Sequence, residues 1–542
     1  MNLRLLYLTA TTLWPLHCVA TVLEPRSSTN TCQTVLSPTY AAPTVSSGWT
    51  GQLVFSGLTL PRSIVLDSSG ALLILESGVG IRRLTFTDNG GSCITADGDG
   101  TLIVNMTSLN HGLAMSPDGK TIYASNPESV FSWPYSNITG SVTANATTVV
   151  SGMANDDQVT RTVLASQLEP GTIIVSRGSG GSEEGARNSS SGLGQVKAFN
   201  LSELTSSSEP YDFSTSGRLL GWGLNNAVGL AEHPKTGGIF SMENGVDNLT
   251  RDGEDIHDSN PGDEMNYHGM LSISEEANDE DQGGNYGYPF CHATWNTSIS
   301  DAPAGLVAGE QFSVFNNATS NDSFCEQDFV RPRLTFLPHQ APMDIVFSSD
   351  GATAYVSFHG SVDGADPKGY LVGSVAFDSV TGQPTRAYDT YIALDDIIQN
   401  TDDASCPSCL RPVGLTMLDD RVLFSSDATG EIYVLIKSAT SSSARERTIH
   451  VAIGVSVAFA CVVIILAGVI YWRWKRSREL LGGHTSGPDS GSMSLGGVYG
   501  RDESKTPGIQ LALRKSRRRS SDVRNTFQDD LQGQEHPRSP GR

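Results

Sequence analysis

The same pattern of apolar and polar residues occurs six times between Leu60 and Leu435. Each copy is an apolar strand, a tight turn that usually contains glycine, and a second apolar strand. Strand pairs joined by Asp-Gly or Gly-Gly turns are typical of β-hairpins, and hairpins repeated at blade-length intervals indicate a β-propeller. We therefore predict an all-β fold with a six-bladed β-propeller over residues 51–437. The copies begin at Pro61, Asn110, Thr160, Asn226, Pro342 and Arg411.

Two apolar runs lie outside the repeats. Residues 1–20 combine Arg4, an apolar stretch and small residues near Ala20, which indicates a secretory signal peptide. Residues 449–472 are long enough to cross a bilayer and end in aromatic residues of the kind that anchor at a membrane interface. A buried core helix is the alternative, but no other helical pattern surrounds this run. We predict a single C-terminal transmembrane helix.

The residues around the second apolar run predict its orientation. Four basic residues follow it between positions 473 and 478, so the positive-inside rule places the C-terminus in the cytoplasm. The protein is then a single-pass type I protein of the plasma membrane with an extracellular propeller. Residues 21–50 form an N-terminal segment and residues 438–448 a Ser-rich stalk. Residues 473–542, rich in Ser, Gly, Pro and charges, predict a disordered cytoplasmic tail.

The net charge of the chain differs between the two sides of the predicted membrane. The chain carries 36 Lys and Arg against 58 Asp and Glu, a net charge of −22. Residues 473–542 contribute 14 basic and 8 acidic residues, a balance of +6 that leaves −28 for residues 1–472. An exported part this acidic is a poor candidate for nucleic-acid binding, and we expect no nucleic-acid partner.

Six cysteines lie between the two apolar runs, and an even number in an exported chain favours disulfide bonds. Proximity suggests the pairs 32–93, 291–325 and 406–409, although other pairings stay open. Cys406 and Cys409 form a CxxC, for which redox or metal chemistry is the alternative to a structural loop. Without a second CxxC or a thioredoxin-like pattern, the structural loop is favoured. Sequons predict a glycoprotein; they include Asn105, Asn137, Asn145, Asn188, Asn200, Asn248, Asn296 and Asn317.

Two long insertions interrupt the repeats, at residues 247–284 and 291–331. Loops of this length in a compact fold are usually functional or tied down. In the first, Asp263 and Glu264 follow a Pro-Gly turn and come after a Gly245-Val246 segment. Calcium takes carboxylate and backbone carbonyl oxygens in such loops, so we predict that this region binds the ion. An acidic surface loop without an ion is the competing interpretation.

Polar residues begin each repeat, where the innermost strand of a blade lines the channel. Polar and charged groups at such positions are unfavourable unless they are paired or bind a ligand. Arginines among them favour a ligand with carboxylates, because the guanidinium fork matches a carboxylate. Side chains satisfied by water are the alternative for each one alone. We expect six residues to converge at one mouth: Arg62, His111, Arg161, Asn226, Asp344 and Arg411.

Four segments carry a family resemblance. They are GLNNAVGLAEHPKTGGIFSMENGVDNLTRDGEDIHDSNPGDEMNYHG (223–269), GGNYGYPFC (283–291), SFHGS (357–361) and RPVGL (411–415). In these residues the chain resembles the soluble quinoprotein glucose/sorbosone dehydrogenase family. It is most similar to the β-propeller domain of fungal pyranose dehydrogenases that use pyrroloquinoline quinone (PQQ). The resemblance runs from about Leu53 to Leu435.

The resemblance implies PQQ over the channel mouth, with arginines at its carboxylates and calcium at its ortho-quinone edge. Residues carried over by motif would have three roles. The cofactor-binding residues would be Arg62, Asn226 and Arg411. The metal site would comprise the Gly245 and Val246 carbonyls, with Asp263 and Glu264 in the acidic stretch. The catalytic residues would be His359, as the base that removes a sugar hydroxyl proton, and His111, as a second candidate that contacts substrate.

The chain departs from the family pattern at four positions. Relatives usually carry an arginine at Asn225 and a histidine at Gln158, and the family's HGSWNR loses its aromatic at Val362 and its arginine at Gly364. Glutamine does not accept a proton at neutral pH. These departures leave the fold intact and bear on cofactor affinity and turnover.

Two functions are therefore open. The first is an extracellular, membrane-anchored oxidoreductase that oxidises sugar hydroxyls with PQQ and calcium and passes electrons to an external acceptor. The second is a catalytically degenerate propeller that serves as a glycan-binding or cell-surface interaction module. An intact family fingerprint favours the enzyme, and the four departures favour the binding module.

Overall fold

Six β-sheets form a closed ring, and each is built on one of the six predicted hairpins. In the computed structural model, the innermost strands of consecutive sheets are neighbours, and the sixth lies beside the first. The prediction of a six-bladed propeller is confirmed. The structure describes residues 32, 35–205, 208–272, 281–318, 320–361, 368–388, 394–401, 408–438 and 466–476.

The innermost strands of the first three blades follow one another along the chain, while blades 2 and 3 each gain a short outer strand from later in the sequence. Blade 1 contains Pro61–Leu66, Leu72–Glu76, Gly80–Leu84 and Thr101–Asn105. Blade 2 contains Leu113–Met115, Thr121–Ser125, Val130–Ser136, Thr147–Ser151 and Tyr211–Asp212, with Ser141–Val142 beside it. Blade 3 contains Val163–Ala165, Thr172–Arg177, Gln195–Asn200, Arg218–Trp222 and Gly284–Asn285.

Among the last three blades, blades 5 and 6 each include a strand from before the first repeat. Blade 4 contains Asn226–Glu232, Gly238–Asn244, Asp263–Met270 and Leu334–Phe336. Blade 5 contains Pro342–Phe347, Thr353–Phe358, Leu371–Asp378, Leu394–Gln399 and Thr44–Val45, with Gln383–Pro384 beside it. Blade 6 contains Pro412–Leu418, Arg421–Ser426, Glu431–Lys437 and Trp49–Ser56.

Short elements lie outside the blades. They are the hairpins Phe86–Asp88 with Ile94–Ala96, Thr250–Arg251 with Glu254–Asp255 and Cys291–Ala293 with Gln311–Ser313, the helices Glu183–Ala186 and Asp322–Asp328, and the 3-10 turn Leu201–Glu203.

The ring closes through a strand from the beginning of the chain. Trp49–Ser56 pairs antiparallel with Glu431–Lys437, the last strand of blade 6, with Gly51 opposite Leu435. This pairing joins residues almost 400 positions apart and supplies blade 6 with its outermost strand. The two ends of the repeat region are thereby held together in one sheet, which closes the ring.

An apolar cluster fills each of the six gaps between neighbouring blades. Side chains alternate between the faces of a strand, and both faces of a blade contact a neighbour. Inner strands are therefore apolar on both faces, as in Leu72–Glu76, which is buried throughout. This double burial explains why the repeats are apolar runs rather than strict alternations.

Serine side chains fix the starts of the innermost strands. Ser125, Ser357 and Ser425 lie near the end of the second strand of blades 2, 5 and 6. Their hydroxyls donate to the carbonyls of Arg161 (2.5 Å), Val413 (2.5 Å) and Arg62 (2.6 Å) in the next blade. These hydrogen bonds cross from blade to blade at the channel and hold the backbone from which the predicted site residues project.

Two of the three predicted disulfides are confirmed, Cys32–Cys93 and Cys291–Cys325. The third pair includes Cys406, which lies outside the described residues. The second insertion and part of the first pack around their own apolar cluster of Leu249, Ile299 and Phe312. We call this region, residues 246–262 and 286–331, the lobe.

The chain divides into two compact units, Met1–Arg447 and Thr448–Arg542. In the second unit, residues 466–476 are helical. Within the described part of the chain, no helix combines the length and apolar character needed to span a membrane. The predicted signal peptide and most of the predicted transmembrane run lie outside the described residues.

Candidate functional site

A buried carboxylate joins three blades at the channel. Asp427 accepts hydrogen bonds from Arg62 Nη1 at 2.5 Å and from His359 Nε2 at 3.0 Å. Arg62 is the second residue of the innermost strand of blade 1, while His359 and Asp427 directly follow the second strands of blades 5 and 6. The structure therefore brings Arg62 and His359 together through a residue that our sequence analysis did not identify. The shared repeat position of His359 and Asp427 is the signal that could have found it.

The Asp427 contacts determine which nitrogen of His359 is basic. Burial alone raises the pKa of Asp427, but the hydrogen bonds from His359 and Arg62 and the charge of Arg62 outweigh it and lower the pKa to about 2. Asp427 is thus ionised at neutral pH and only accepts hydrogen bonds. His359 Nε2 must carry the proton in this contact, which leaves Nδ1 with the free lone pair.

His111 lies on the other side of Arg62. Its Nδ1 accepts from Arg62 Nε at 3.3 Å and from Nη2 at 3.2 Å. Burial and the nearby Arg62 charge lower the pKa of His111 well below its usual range, so the ring is neutral. Its accepting nitrogen is already engaged. We therefore interpret His111 as a residue that orients Arg62 rather than one that takes a proton.

Arg411 supplies a second cation near His359. Its Nη2 lies 3.4 Å from the Gly360 carbonyl and 3.2 Å from the Tyr370 hydroxyl, and its guanidinium lies 5.1 Å from the Tyr370 ring centroid. Its buried Nε has no hydrogen-bond partner among the residues that the structure describes. A buried unsatisfied donor is unfavourable by about 1–3 kcal/mol, so this nitrogen is suited to an anionic ligand.

Two of the residues expected at the channel mouth have structural roles instead. Arg161 is fully buried, and its guanidinium donates at 2.6 Å to the carbonyls of Met153, Gln158 and Thr160. The Asp344 carboxylate accepts from the backbone of Leu415 at 2.8 Å and of Ile345 at 2.9 Å, which joins blades 5 and 6. The expectation that both face a ligand is wrong, because the backbone already uses their polar atoms.

A cavity of about 470 Å³, which we call the axial pocket, lies next to this cluster. It adjoins the cluster through His359, whose backbone N–H donates to Ala341 at 3.0 Å, and through Ser361. Its volume falls within the roughly 300–1,000 Å³ typical of ligand pockets. The lining is polar and includes Gln158, Asn225, Asn226, Gly245, Val246, Asp263, His339, Ala341 and Ser361.

Two of the family departures are hydrogen-bonded to each other in this pocket. Gln158 Nε2 donates to Asn225 Oδ1 at 3.0 Å, while Gln158 Oε1 accepts from Ser179 Oγ at 3.0 Å and from the Gly180 backbone at 2.9 Å. Gln158 adopts a left-handed backbone conformation, with φ of 47°. The pair is a neutral, internally satisfied part of the wall. Val362 and Gly364 lie outside the described residues.

A buried acidic cluster underlies the pocket. Asn266 Nδ2 donates to Glu243 at 2.8 Å and to Glu264 at 3.1 Å. Burial raises the pKa of Glu264 to about 7, and burial together with the Glu264 charge raises that of Glu243 well above its usual range. Glu243 was not predicted from sequence. Two buried carboxyl groups this close are stable only if a bound cation balances their negative charge or a proton removes it.

Asp263 supports the backbone beside this cluster. Its two oxygens accept from the Gly245 N–H at 2.8 Å and the Ala341 N–H at 2.9 Å, and burial raises its pKa to about 7. A void of about 10 Å³ remains between Glu243, Glu264 and the backbone of Asn244–Val246, which is room for one water-sized species. Among the described residues, no three His, Cys, Asp or Glu side chains form a metal cluster. A cation here would need backbone oxygens as well.

Replacing Asp427 with asparagine is expected to lower the free energy of unfolding by about 2 kcal/mol at pH 6. A carboxyl group whose pKa is lower in the folded than in the unfolded protein stabilises the fold at pH values above its unfolded-state pKa. For Asp427 this contribution is lost as the pH falls toward the folded-state pKa of about 2. Urea unfolding should therefore give about half that difference at pH 3. An equal difference at both pH values would contradict an ionised Asp427 in the folded protein.

Comparisons with known proteins identify relatives of the propeller. A family model described as TrAA12-like matches residues 43–438. A pyrroloquinoline quinone-dependent sugar dehydrogenase of Hypocrea jecorina (strain QM6a) is 47% identical over 410 residues, which is 74% of this chain and 91% of the relative. A pyrroloquinoline quinone-dependent pyranose dehydrogenase of Coprinopsis cinerea is 34% identical over 409 residues, 72% of this chain and 54% of that relative.

Solved structures give the same relationship. The calcium structure of Trichoderma reesei Carbohydrate-Active Enzymes Family AA12 superposes with a TM-score of 0.71 at 46% identity, covering 75% of this chain and 100% of that one. The holo form of the pyranose dehydrogenase PQQ domain from Coprinopsis cinerea superposes with a TM-score of 0.68 at 32% identity, covering 75% of this chain and 99% of that one.

Proposed function

Since this chain belongs to the TrAA12-like family, we propose that it is a PQQ-dependent sugar dehydrogenase, an oxidoreductase that oxidises a sugar hydroxyl. One observation carries the proposal: beside the axial pocket, Arg62 and His359 share Asp427, and Arg411 from a third blade contacts Gly360 next to His359. Two cations and a base at one polar pocket suit an acidic cofactor and an alcohol substrate.

The residues present fit the quinone. Arg62 and Arg411 would hold its carboxylates, and the unpartnered Nε of Arg411 supports this role. Asn226, which lines the pocket, offers an amide to its polar edge. Bound PQQ would supply the two-electron acceptor for the hydride of the sugar.

The proton of the sugar hydroxyl would pass to His359 Nδ1. Asp427 holds the opposite nitrogen and remains ionised, so it stabilises the imidazolium that forms when Nδ1 accepts the proton. Arg62 and His111 keep the Asp427 carboxylate in position. The chain's own residues thus provide the base and its electrostatic support.

Calcium is the second part of the proposal. Glu243 and Glu264, with the Gly245 and Val246 backbone, offer a hard cation both carboxylate and carbonyl oxygens around a void of suitable size. Asp263 would act indirectly, because both of its oxygens hold backbone N–H groups. A bound Ca²⁺ would also neutralise the buried carboxylates.

Calcium at 100 times its Kd is expected to stabilise the full chain by about 2.7 kcal/mol, seen as a higher Tm. Glu264→Gln should remove most of this increase, because it deletes a buried charged ligand. Glu209→Gln, at an exposed residue outside the site, is the matched control and should keep it. Equal calcium-induced changes in Tm for both variants would exclude Glu264 as a ligand.

The proposal extends to localisation. We place the propeller outside the cell, with residues 1–20 as a signal peptide, 438–448 as the stalk, 449–472 as a transmembrane helix and 473–542 as a cytoplasmic tail. The apolar run and the basic residues that follow it support this arrangement. The electrons would then pass to an external acceptor. Protease added to intact cells should remove the propeller and spare the tail.

The purified full chain, loaded with PQQ and Ca²⁺, tests the activity. Aldoses should reduce a dye when the loaded protein is present, and no dye should be reduced when the protein is omitted. A catalytically inactive glycan-binding module is the second candidate, favoured by the neutral Gln158–Asn225 pair in the pocket. Sugar binding without any binding of micromolar quinone would replace the enzyme by that module.

A further inference from the structure

A second cavity of about 290 Å³, which we call the side cavity, lies next to the axial pocket. Val246, Asp247 and Tyr288 line both cavities, so a ligand longer than one ring could extend from one into the other. The side cavity is built almost entirely by the lobe, together with Glu183 from the helix Glu183–Ala186. None of these residues has a role in the proposed oxidation step.

The side cavity combines aromatic rings with carboxylates. Phe290 and Phe315 lie with ring centroids 6.3 Å apart, and Phe315 is 45% exposed although it is large and apolar. Glu183, Asp247 and Asp252 line the same space. Aromatic faces contact the C–H faces of sugar rings, while carboxylates accept hydrogen bonds from their hydroxyls. An acidic rim selects against anionic ligands and is compatible with neutral sugars.

The side cavity is held in place by its surroundings. The Arg187 guanidinium lies 4.3 Å from the Phe290 ring centroid, and the Phe290 carbonyl accepts from the Val314 N–H at 2.9 Å. The Cys291–Cys325 disulfide begins at the residue after Phe290. Buried Arg251 binds Asp322 through two hydrogen bonds, of 2.6 and 2.8 Å. Such bracing reduces the entropy lost when a ligand binds.

We propose that the side cavity is an extension subsite for a neutral oligosaccharide whose terminal unit occupies the axial pocket. This inference rests on the proposed function for the identity of the axial-pocket ligand. The following unit would lie against Phe290 and Phe315 and donate hydroxyl hydrogen bonds to the acidic rim. The preferred substrate is then the end of an oligosaccharide, bound more tightly than a free monosaccharide.

The test compares binding of neutral di- and trisaccharides of glucose, xylose and N-acetylglucosamine with binding of the corresponding monosaccharides. Titration calorimetry on the quinone-free full chain should show about tenfold tighter binding for at least one oligosaccharide series. Phe290→Ala and Phe315→Ala should bring that ratio close to one. Ile138→Ala, at a 93% exposed residue of blade 2, should leave it unchanged. Equal affinities for all chain lengths, or a ratio that survives both phenylalanine variants, would overturn the proposal.

Two further arms separate alternative explanations. Asn248 lines the side cavity and begins a sequon, so the ratio is measured again in Asn248→Gln, which removes any glycan attached there. The ratio should persist, and its loss would show that the attached glycan makes the contact. Because this binding is measured without quinone, its failure is distinct from a failure to oxidise sugar, which dye reduction reports.

Discussion

Replacing His359 with alanine is expected to lower kcat for sugar oxidation about 10²–10⁴-fold, the usual contribution of a positioned general base. Asp427 remains ionised and holds the Nε2 side of the ring, so Nδ1 is the nitrogen that takes the proton. The variant loses that acceptor but keeps Arg62 and Arg411. Its affinity for quinone should therefore stay within about threefold of the wild type. Stopped-flow dye reduction and absorbance titration measure the two quantities.

His359→Gln is the matched control for lost packing. A glutamine amide can still donate to Asp427 but accepts no proton at neutral pH. It should be as slow as the alanine variant while retaining more of the stability. If the glutamine variant turned over at the wild-type rate, the base would be another residue, and His339, which lines the axial pocket, would be the next candidate.

Replacing Arg411 with methionine is expected to weaken quinone binding about 10²-fold or more, because truncating one partner of a buried charge pair costs about 2–5 kcal/mol or more. Methionine keeps the length of the side chain and removes the charge and the unpartnered Nε. At saturating quinone the variant should recover most of its kcat. This result is the opposite of that for His359, and the two variants together separate cofactor binding from proton transfer.

Arg411→Lys refines the interpretation. Lysine keeps the charge but not the planar fork, so its affinity should lie between those of the wild type and the methionine variant. The loss is expected to be about tenfold. Wild-type affinity in Arg411→Met would show that Arg411 does not contact the quinone, whatever its distance from His359.

The fold was largely predictable because its signals are local. The strand–turn–strand pattern of each repeat depends on neighbouring residues, and all six hairpins form the inner strands of the blades. The closing strand Trp49–Ser56 was not predicted, since its partner Glu431–Lys437 lies at the far end of the repeats. The residues of the strand itself do not indicate which strand it pairs with.

The site was predictable only in part. Motifs pointed to Arg62, His359 and Arg411 but not to Asp427 and Glu243, because the contacts of Asp427 and Glu243 depend on which side chains the fold brings to them. The expectation that Arg161 faces a ligand was wrong for the opposite reason. Its position in the repeat matches Arg62, yet backbone carbonyls of its own loop engage its guanidinium.

The departures from the family pattern also have a structural meaning that their sequence positions do not reveal. Gln158 and Asn225 are 67 positions apart but hydrogen-bond across the pocket wall. Asn225 Nδ2 also contacts the Gly245 carbonyl at 3.2 Å, next to the proposed calcium site. Two replacements that satisfy each other's polar groups preserve the wall of the pocket, so neither needs to disturb the blades.

A crystal structure of the protein grown with PQQ and Ca²⁺ tests the central claim most directly. We predict density for the quinone in the axial pocket, with carboxylates beside Arg62 and Arg411 and with His359 facing the space left for a sugar. Quinone density at another surface, or an axial pocket that stays empty of quinone at saturating concentration, would contradict the account.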